Sequence, residues 1–313
     1  MIIHTGLRTD IPAFYSKWLA NRLQEGYVLV RNPYNPISVT KYLLDPSVVD
    51  LICFCTKNPE PMLRYMELLR PYGQYWFVTI TPYGKDIEPF VPDKGKVIES
   101  FCELSQMTGL DSIGWRYDPV MIDGEWTEER HLHEFQEMCS RLEGYIRTCV
   151  ISFVQMYSKL KRNYPELRPV PRDIQLSLTK SFVKIAGNYG MTVKLCGDSR
   201  GLEETGADCS GCMTAKIYET AIQQHLIFPP NPRNRKECAC YLTADIGQYN
   251  TCGHFCRYCY ANADKRAVRQ FMNQHDPTSP LLIGHPGPDD IIHEAKQKSW
   301  IDPQIRLDLG EFD

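Results

Sequence analysis

Along the first two thirds of the chain, apolar and polar positions switch repeatedly between two periods. Short apolar runs at 2–5, 27–30, 49–55, 75–81, 112–117, 147–154 and 191–196 have the length and the branched or aromatic content of strands. Between several of them, apolar residues recur at three- and four-residue spacing, which predicts helices over 13–24, 62–69, 96–109, 127–142 and 173–189. In the first helix Phe14, Trp18, Leu19 and Leu23 share a face, and Gly26 marks its end. Glu128 and Glu129 suit the positive end of the helix over 127–142. The run at 75–81 is almost continuously apolar, as in a parallel sheet covered on both faces. A further extended segment is expected at 39–43.

About seven units of strand then helix predict an α/β fold with a parallel sheet. Right-handed crossovers would close it as a (β/α) TIM-like barrel, or leave it as a partial barrel or an open wound sheet. After residue 198 the texture changes, because cysteines, prolines and basic residues become dense and recognisable strands cease. The chain therefore divides into a barrel domain, 1–198, and a Cys-rich extension, 199–313, packed on it. Residues 291–298 read as one last short helix.

Polar residues collect where the predicted strands end: Arg8, Thr9 and Asp10; Lys57 and Asn58; Thr79 and Thr81; Arg116 and Asp118; Gln155; Gly197 and Asp198. In a barrel those ends share one rim, where such enzymes place their chemistry. Lys57, Arg116 and Asp118 are the catalytic candidates, able to orient an anionic or polar ligand and to move a proton, and Arg8 and Asp10 join them.

Composition narrows the class without naming it. With 43% apolar and 23% charged residues the chain is that of a globular protein. A net charge of −3 and a pI near 6.3 argue against a generally basic nucleic-acid binder. A local basic patch remains in Arg233, Arg235, Lys236, Arg257, Lys265, Arg266 and Arg269. No apolar run is long enough to cross a bilayer, and the N-terminal residues lack the segments of a signal peptide, so a cytoplasmic protein without a membrane partner is expected. In that reducing compartment thirteen cysteines are better metal ligands than disulfide partners.

Cys252, Cys256 and Cys259 follow the spacing C-x3-C-x2-C, which lets three thiolates converge on three irons of one [4Fe-4S] cluster. No fourth cysteine follows at once, so one iron would stay open for a small molecule. Cys209 and Cys212 with Cys238 and Cys240 form two close pairs that could bind a structural zinc or a second [4Fe-4S] cluster, with Cys196 an alternative member. Cys53, Cys55, Cys102, Cys139 and Cys149 fall in predicted strands and helices, where buried thiols pack as small apolar groups.

The triplet, with Tyr258 immediately before its third cysteine, resembles the signature of radical S-adenosylmethionine enzymes. That resemblance implies a methionine moiety chelated to the open iron, and reductive cleavage of the sulfonium to a 5′-deoxyadenosyl radical that abstracts hydrogen. It implies that Cys252, Cys256 and Cys259 hold the cluster, that Tyr258 lies near the adenine, and that Gly197 and Asp198 stand in for the segment receiving the methionine amino group. It also implies a reductant protein of the flavodoxin or ferredoxin type. The superfamily's motif follows the first strand of its barrel, whereas here it follows the last.

Five segments carry a wider likeness: 8–15 (RTDIPAFY), 30–33 (VRNP), 56–59 (TKNP), 115–119 (WRYDP) and the final Cys-rich block. Through them the chain resembles the domain of unknown function 1848 family, described as related to spore photoproduct lyase and DNA repair photolyases. The expected substrate is a small polar or anionic molecule, or nucleic acid. Two other readings stand beside the radical enzyme: a non-radical [4Fe-4S] enzyme whose open iron acts as Lewis acid or sulfur acceptor, and a zinc-containing nucleic-acid-binding protein.

Overall fold

Ten strands form in the computed structural model, which describes residues 1–230 and 240–304, and buried branched and aromatic residues build most of those in the main sheet. In chain order they are β1 (Ile2–His4), β2 (Tyr27–Arg31), β3 (Ser38–Leu43), β4 (Leu51–Thr56), β5 (Gly73–Thr79), β6 (Ile113–Val120), β7 (Thr148–Phe153), β8 (Thr192–Leu195), β9 (Ala244–Asp245) and β10 (Ile291–Glu294). Seven of them form one parallel sheet in the order β8-β7-β6-β5-β4-β1-β9. Six of the seven follow one another in space as they do in sequence, as right-handed strand-helix-strand connections require.

The sheet is open: β8 and β9 are its edges, and no ladder joins them among the described residues. A closed TIM-like barrel is therefore not formed. The backbone groups of β8 that closure would engage are taken by Asp208, whose carbonyl accepts from Leu195 and whose N–H donates to Val193.

Each face has its own cover. Helices Ser16–Glu25, Lys94–Thr108, Glu128–Leu142 and Arg172–Asn188 carry amphipathic faces to one core cluster. There Phe54 stacks on Trp76 at 3.7 Å, and Trp115 and Tyr117 meet Phe135. Strand residues alternate in direction, so Cys53, Cys55 and Arg116 point to the opposite face. On that side lie Cys212 and Tyr218, the latter on helix Ala215–Ile222 and edge-on to His4.

Several local expectations change. The helix expected over 13–24 starts at Ile11, breaks at Tyr15 and resumes as Ser16–Glu25, ending on Gly26 in the left-handed conformation, φ 76°. The helix expected over 62–69 is two single turns, Glu60–Leu63 and Met66–Leu69. The strands expected at 27–30 and 39–43 leave the main sheet and pair with each other, antiparallel. Residues 291–294 are strand rather than helix: β10 pairs parallel with β3, whose free edge takes the backbone groups of the branched pair Ile291-Ile292. The Arg31 guanidinium and the Asp290 carboxylate clamp this small sheet.

The extension is tied to the rest by backbone. β9 lengthens the main sheet through its pairing with Ile3 and His4, and the Trp300 N–H donates to Asp50 at 2.7 Å.

Candidate functional site

All seven strands of the main sheet run the same way, so their C-terminal ends share one rim, and a cavity of about 290 Å³ opens there. Its wall takes residues from the ends of the strands expected at 2–5, 49–55, 75–81, 112–117, 147–154 and 191–196, among them Asp10, Lys57, Thr79, Arg116, Asp118, Gln155 and Gly197. β9 leads directly into the Cys252–Cys259 loop, and β9 stands beside β1. The triplet comes last in sequence, yet it leaves the strand that precedes β1 in the spatial order.

The loop is held from both sides. The Tyr15 hydroxyl donates to the Thr251 carbonyl at 2.6 Å, and the Asn262 amide donates to the Cys252 carbonyl at 2.7 Å. Phe255 takes a left-handed φ of 55°, which folds the chain back on itself between the first two cysteines. Gly253 allows close packing, since a Cβ there would come within 2.8 Å of the Phe14 ring. In this turn Cys252, Cys256 and Cys259 all line the cavity.

Burial raises the pKa of all three thiols. Charge on its two partners raises Cys252 further, and charge on Cys259 raises Cys256, so the three sit within electrostatic reach of one another. Lys57 opposes the rise at Cys256. Among the described residues no three His, Cys, Asp or Glu side chains close around one point as a single ion requires. Ligands of a cubane stand on different irons, so they are spaced more widely than ligands of one ion. Three soft thiols on one wall, facing free volume, fit an open cluster in donor chemistry and in room.

Lys57, at the end of β4, projects inward to Glu88 at 2.8 Å, and its ammonium lies 5.6 Å from the centre of the Tyr258 ring. Burial disfavours the ammonium, but Glu88 and Cys256 more than reverse this, and its pKa lies above the ordinary value. For Glu88 burial again opposes charge, and Lys57, Tyr258 and Thr81 overcome it, holding the carboxyl below its usual range. Both the Thr81 hydroxyl, at 2.7 Å, and the Tyr258 hydroxyl donate to Glu88. Glu88 thus fixes Lys57 and Tyr258 together beside the triplet. It carries no signal in sequence, because it lies in the aperiodic loop between β5 and the next helix.

Asp10 binds three elements. It caps the Ile11–Phe14 turn, accepts the Lys57 backbone N–H at 2.8 Å, and meets the His254 ring at 2.9 Å. It therefore links the β1 and β4 ends to the cysteine loop. Arg8 does not line the cavity; its guanidinium pairs with Asp245 at 2.6 Å and fastens the end of β1 to β9. Arg116 and Asp118 pair at 2.7 Å, with the Ser152 hydroxyl donating to Asp118. Of the other pair, Gly197 lines the cavity at φ 91°, whereas Asp198 turns to solvent and binds Arg200, which lowers its pKa to about 2.

The second cysteine group separates. Cys212 and Cys240 touch, their sulfurs 3.3 Å apart, on the cavity wall. Cys209 donates to the Ala207 carbonyl and does not line the cavity. Cys238 lies outside the described residues, as do Arg233, Arg235 and Lys236 of the basic patch. Arg257 is engaged in a pair with Glu166 at 2.9 Å and lies over the Tyr164 ring. Cys55, read from sequence as a packing thiol, and Cys196, the alternative member of the second cysteine group, also line the cavity. Their places at the ends of β4 and β8 were the available signal.

These features define an open-sheet α/β protein whose strand-end cavity is lined by cysteine, with a buried lysine–glutamate pair at its side. The chain belongs to the family described as Domain of unknown function (DUF1848), whose profile matches residues 2–261 and ends just past Cys259. No curated protein matches the chain. Among the described residues no helix is long and apolar enough to cross a membrane.

Proposed function

We propose that this protein is an iron-sulfur enzyme of the radical S-adenosylmethionine type, acting on a polar or anionic substrate. The observation that carries the reading is the placing of Cys252, Cys256 and Cys259 on one wall of a strand-end cavity, at the end of the strand spatially ahead of β1. Late position in the chain was the main departure from the radical signature, and the order of strands offsets it. Cys252, Cys256 and Cys259 would hold the cluster. When bound, it would supply the electron that cleaves the S-adenosylmethionine sulfonium.

The chain's own residues have distinct tasks. Lys57, kept charged by Glu88, offers a cation beside the cysteines for a carboxylate or other anion. Tyr258 presents an apolar ring to the same cavity, and Gly197 lets a ligand approach the backbone closely. Across the cavity Arg116 and Asp118 supply a donor fork and an acceptor that can orient a polar substrate. The mainly apolar wall limits water at the reacting groups. A flavodoxin- or ferredoxin-type protein would deliver the electron.

Anaerobic protein incubated with S-adenosylmethionine and dithionite should release 5′-deoxyadenosine or another cleavage product, detected by mass spectrometry. Iron- and sulfide-loaded protein that yields no product would move the reading to a non-radical cluster enzyme.

A further inference from the structure

Four cysteines from separate parts of the chain, outside the triplet, line the same cavity. Cys55 ends the inward face of β4, Cys196 follows β8, and Cys212 and Cys240 come from the extension that covers that face. We propose that Cys55, Cys196, Cys212 and Cys240 hold a second, thiolate-ligated iron-sulfur cluster.

The Cys212 and Cys240 sulfurs lie 3.3 Å apart, far beyond a disulfide bond of about 2.0 Å. In a [2Fe-2S] cluster two thiolates on one tetrahedral iron stand roughly 3.8 Å from each other, so a small rotation would let Cys212 and Cys240 share one iron. Cys196 hydrogen-bonds Cys212 on its other side. Arg116 directs its Nη1 at the Cys212 sulfur from 3.7 Å, and Cys55 and Cys196 lie within its electrostatic reach. A buried guanidinium donating to sulfur is the kind of outer partner that orients metal-bound thiolates.

Packing alone accounts poorly for the group. Cys139 and Cys149 are buried in the apolar core, where a thiol serves as a small hydrophobe. Cys212 belongs to the same core, and Cys55, Cys196 and Cys240 pack against it, but all four also line the cavity, where Arg116 acts on three of them. Cys53, two residues before Cys55 on the same strand face, is fully buried and does not line the cavity. The set differs from the pairing that sequence spacing suggests, because Cys209 is directed elsewhere while β4 and β8 bring in Cys55 and Cys196.

The proposal is independent of the triplet, and its test removes the triplet. The full chain carrying Cys252→Ala, Cys256→Ala and Cys259→Ala, purified anaerobically, should retain iron with sulfide by elemental and sulfide analysis. Iron with sulfide supports the proposal, whereas zinc without sulfide would overturn it. Adding Cys212→Ala should strip that metal, whereas adding Cys209→Ala should leave it, with circular dichroism reporting the fold of each variant. Should the triple variant not fold, iodoacetamide labelling of unmodified protein gives the same decision: Cys212 and Cys240 should resist alkylation until a chelator removes the metal. A metal-free triple variant that folds, equal alkylation before and after chelation, or recovery of Cys212 and Cys240 as a disulfide from anaerobic protein would overturn the proposal.

Discussion

Replacing Cys256 by alanine should abolish S-adenosylmethionine cleavage and remove the iron and sulfide bound at the triplet. In the proposed cluster Cys256 would be the middle ligand; it lies within electrostatic reach of Lys57, and the loop holds no further thiol to take its place. Loss of a group that merely supports a metal ligand costs about 10–100-fold in metal affinity, so loss of a ligand itself should exceed about 100-fold. Colorimetric iron and sulfide, together with the product assay, check this. Cys209→Ala serves as the control and should leave both readings unchanged. Retention of cleavage activity in Cys256→Ala would remove the triplet from the chemistry.

Lys57→Met should be the most destabilising single charge change at the rim. The Lys57 side chain is 13% exposed and that of Glu88 only 4%, so the variant strands a carboxylate away from water. Breaking such a pair costs about 3–5 kcal/mol, and urea unfolding measures it. The double variant Lys57→Met with Glu88→Gln should recover much of that loss, because no buried charge remains. The pH dependence has a definite sign. In the unmodified protein the Glu88 pKa is depressed, so its contribution is present above the unfolded carboxylate value near 4.5 and fades as pH falls. Without Lys57, burial is opposed only by the Tyr258 and Thr81 hydroxyls, so the Glu88 pKa rises from its depressed position. The deficit of Lys57→Met should then be small in acid and grow as pH rises. A deficit independent of pH between about 4 and 7 would mean that Glu88 is not the stranded group.

The strand-helix alternation was readable because buried parallel strands and amphipathic helices leave strong local patterns, as at 75–81 and 127–142. The residues before Cys252 lacked such a pattern. β9 is two residues long, Ala244 and Asp245, and exists through pairing with Ile3 and His4 from the far end of the chain. β10 arises in the same way on the edge of β3, which is why 291–298 read as helix. Local propensity cannot report partners hundreds of residues away. The rim itself was legible, since polar residues at strand ends mark it whether the sheet closes or stays open.

Within the site, residue type was easier to read than direction. Lys57, Arg116, Asp118, Gly197 and Tyr258 all line the cavity. Arg8 and Asp198 have the same kind of sequence position, yet Asp245 takes one and Arg200 the other. Glu88 escaped notice because its role depends on meeting Lys57 and Tyr258 across a loop. The cysteines followed the same rule: the sequence reading found Cys252, Cys256 and Cys259, which one turn gathers, and offered Cys196 as a member of the Cys212 group, but it could not foresee that the sheet brings Cys55 to the same Arg116 as Cys196 and Cys212.

The most direct test of the central claim is the electron paramagnetic resonance spectrum of anaerobic, dithionite-reduced protein recorded with and without S-adenosylmethionine. A cluster held through three of its irons by Cys252, Cys256 and Cys259, with the fourth iron open to the cosubstrate, predicts a reduced-cluster signal whose shape changes when the cosubstrate is added. A signal unchanged by S-adenosylmethionine, or no cluster signal at all, would contradict it.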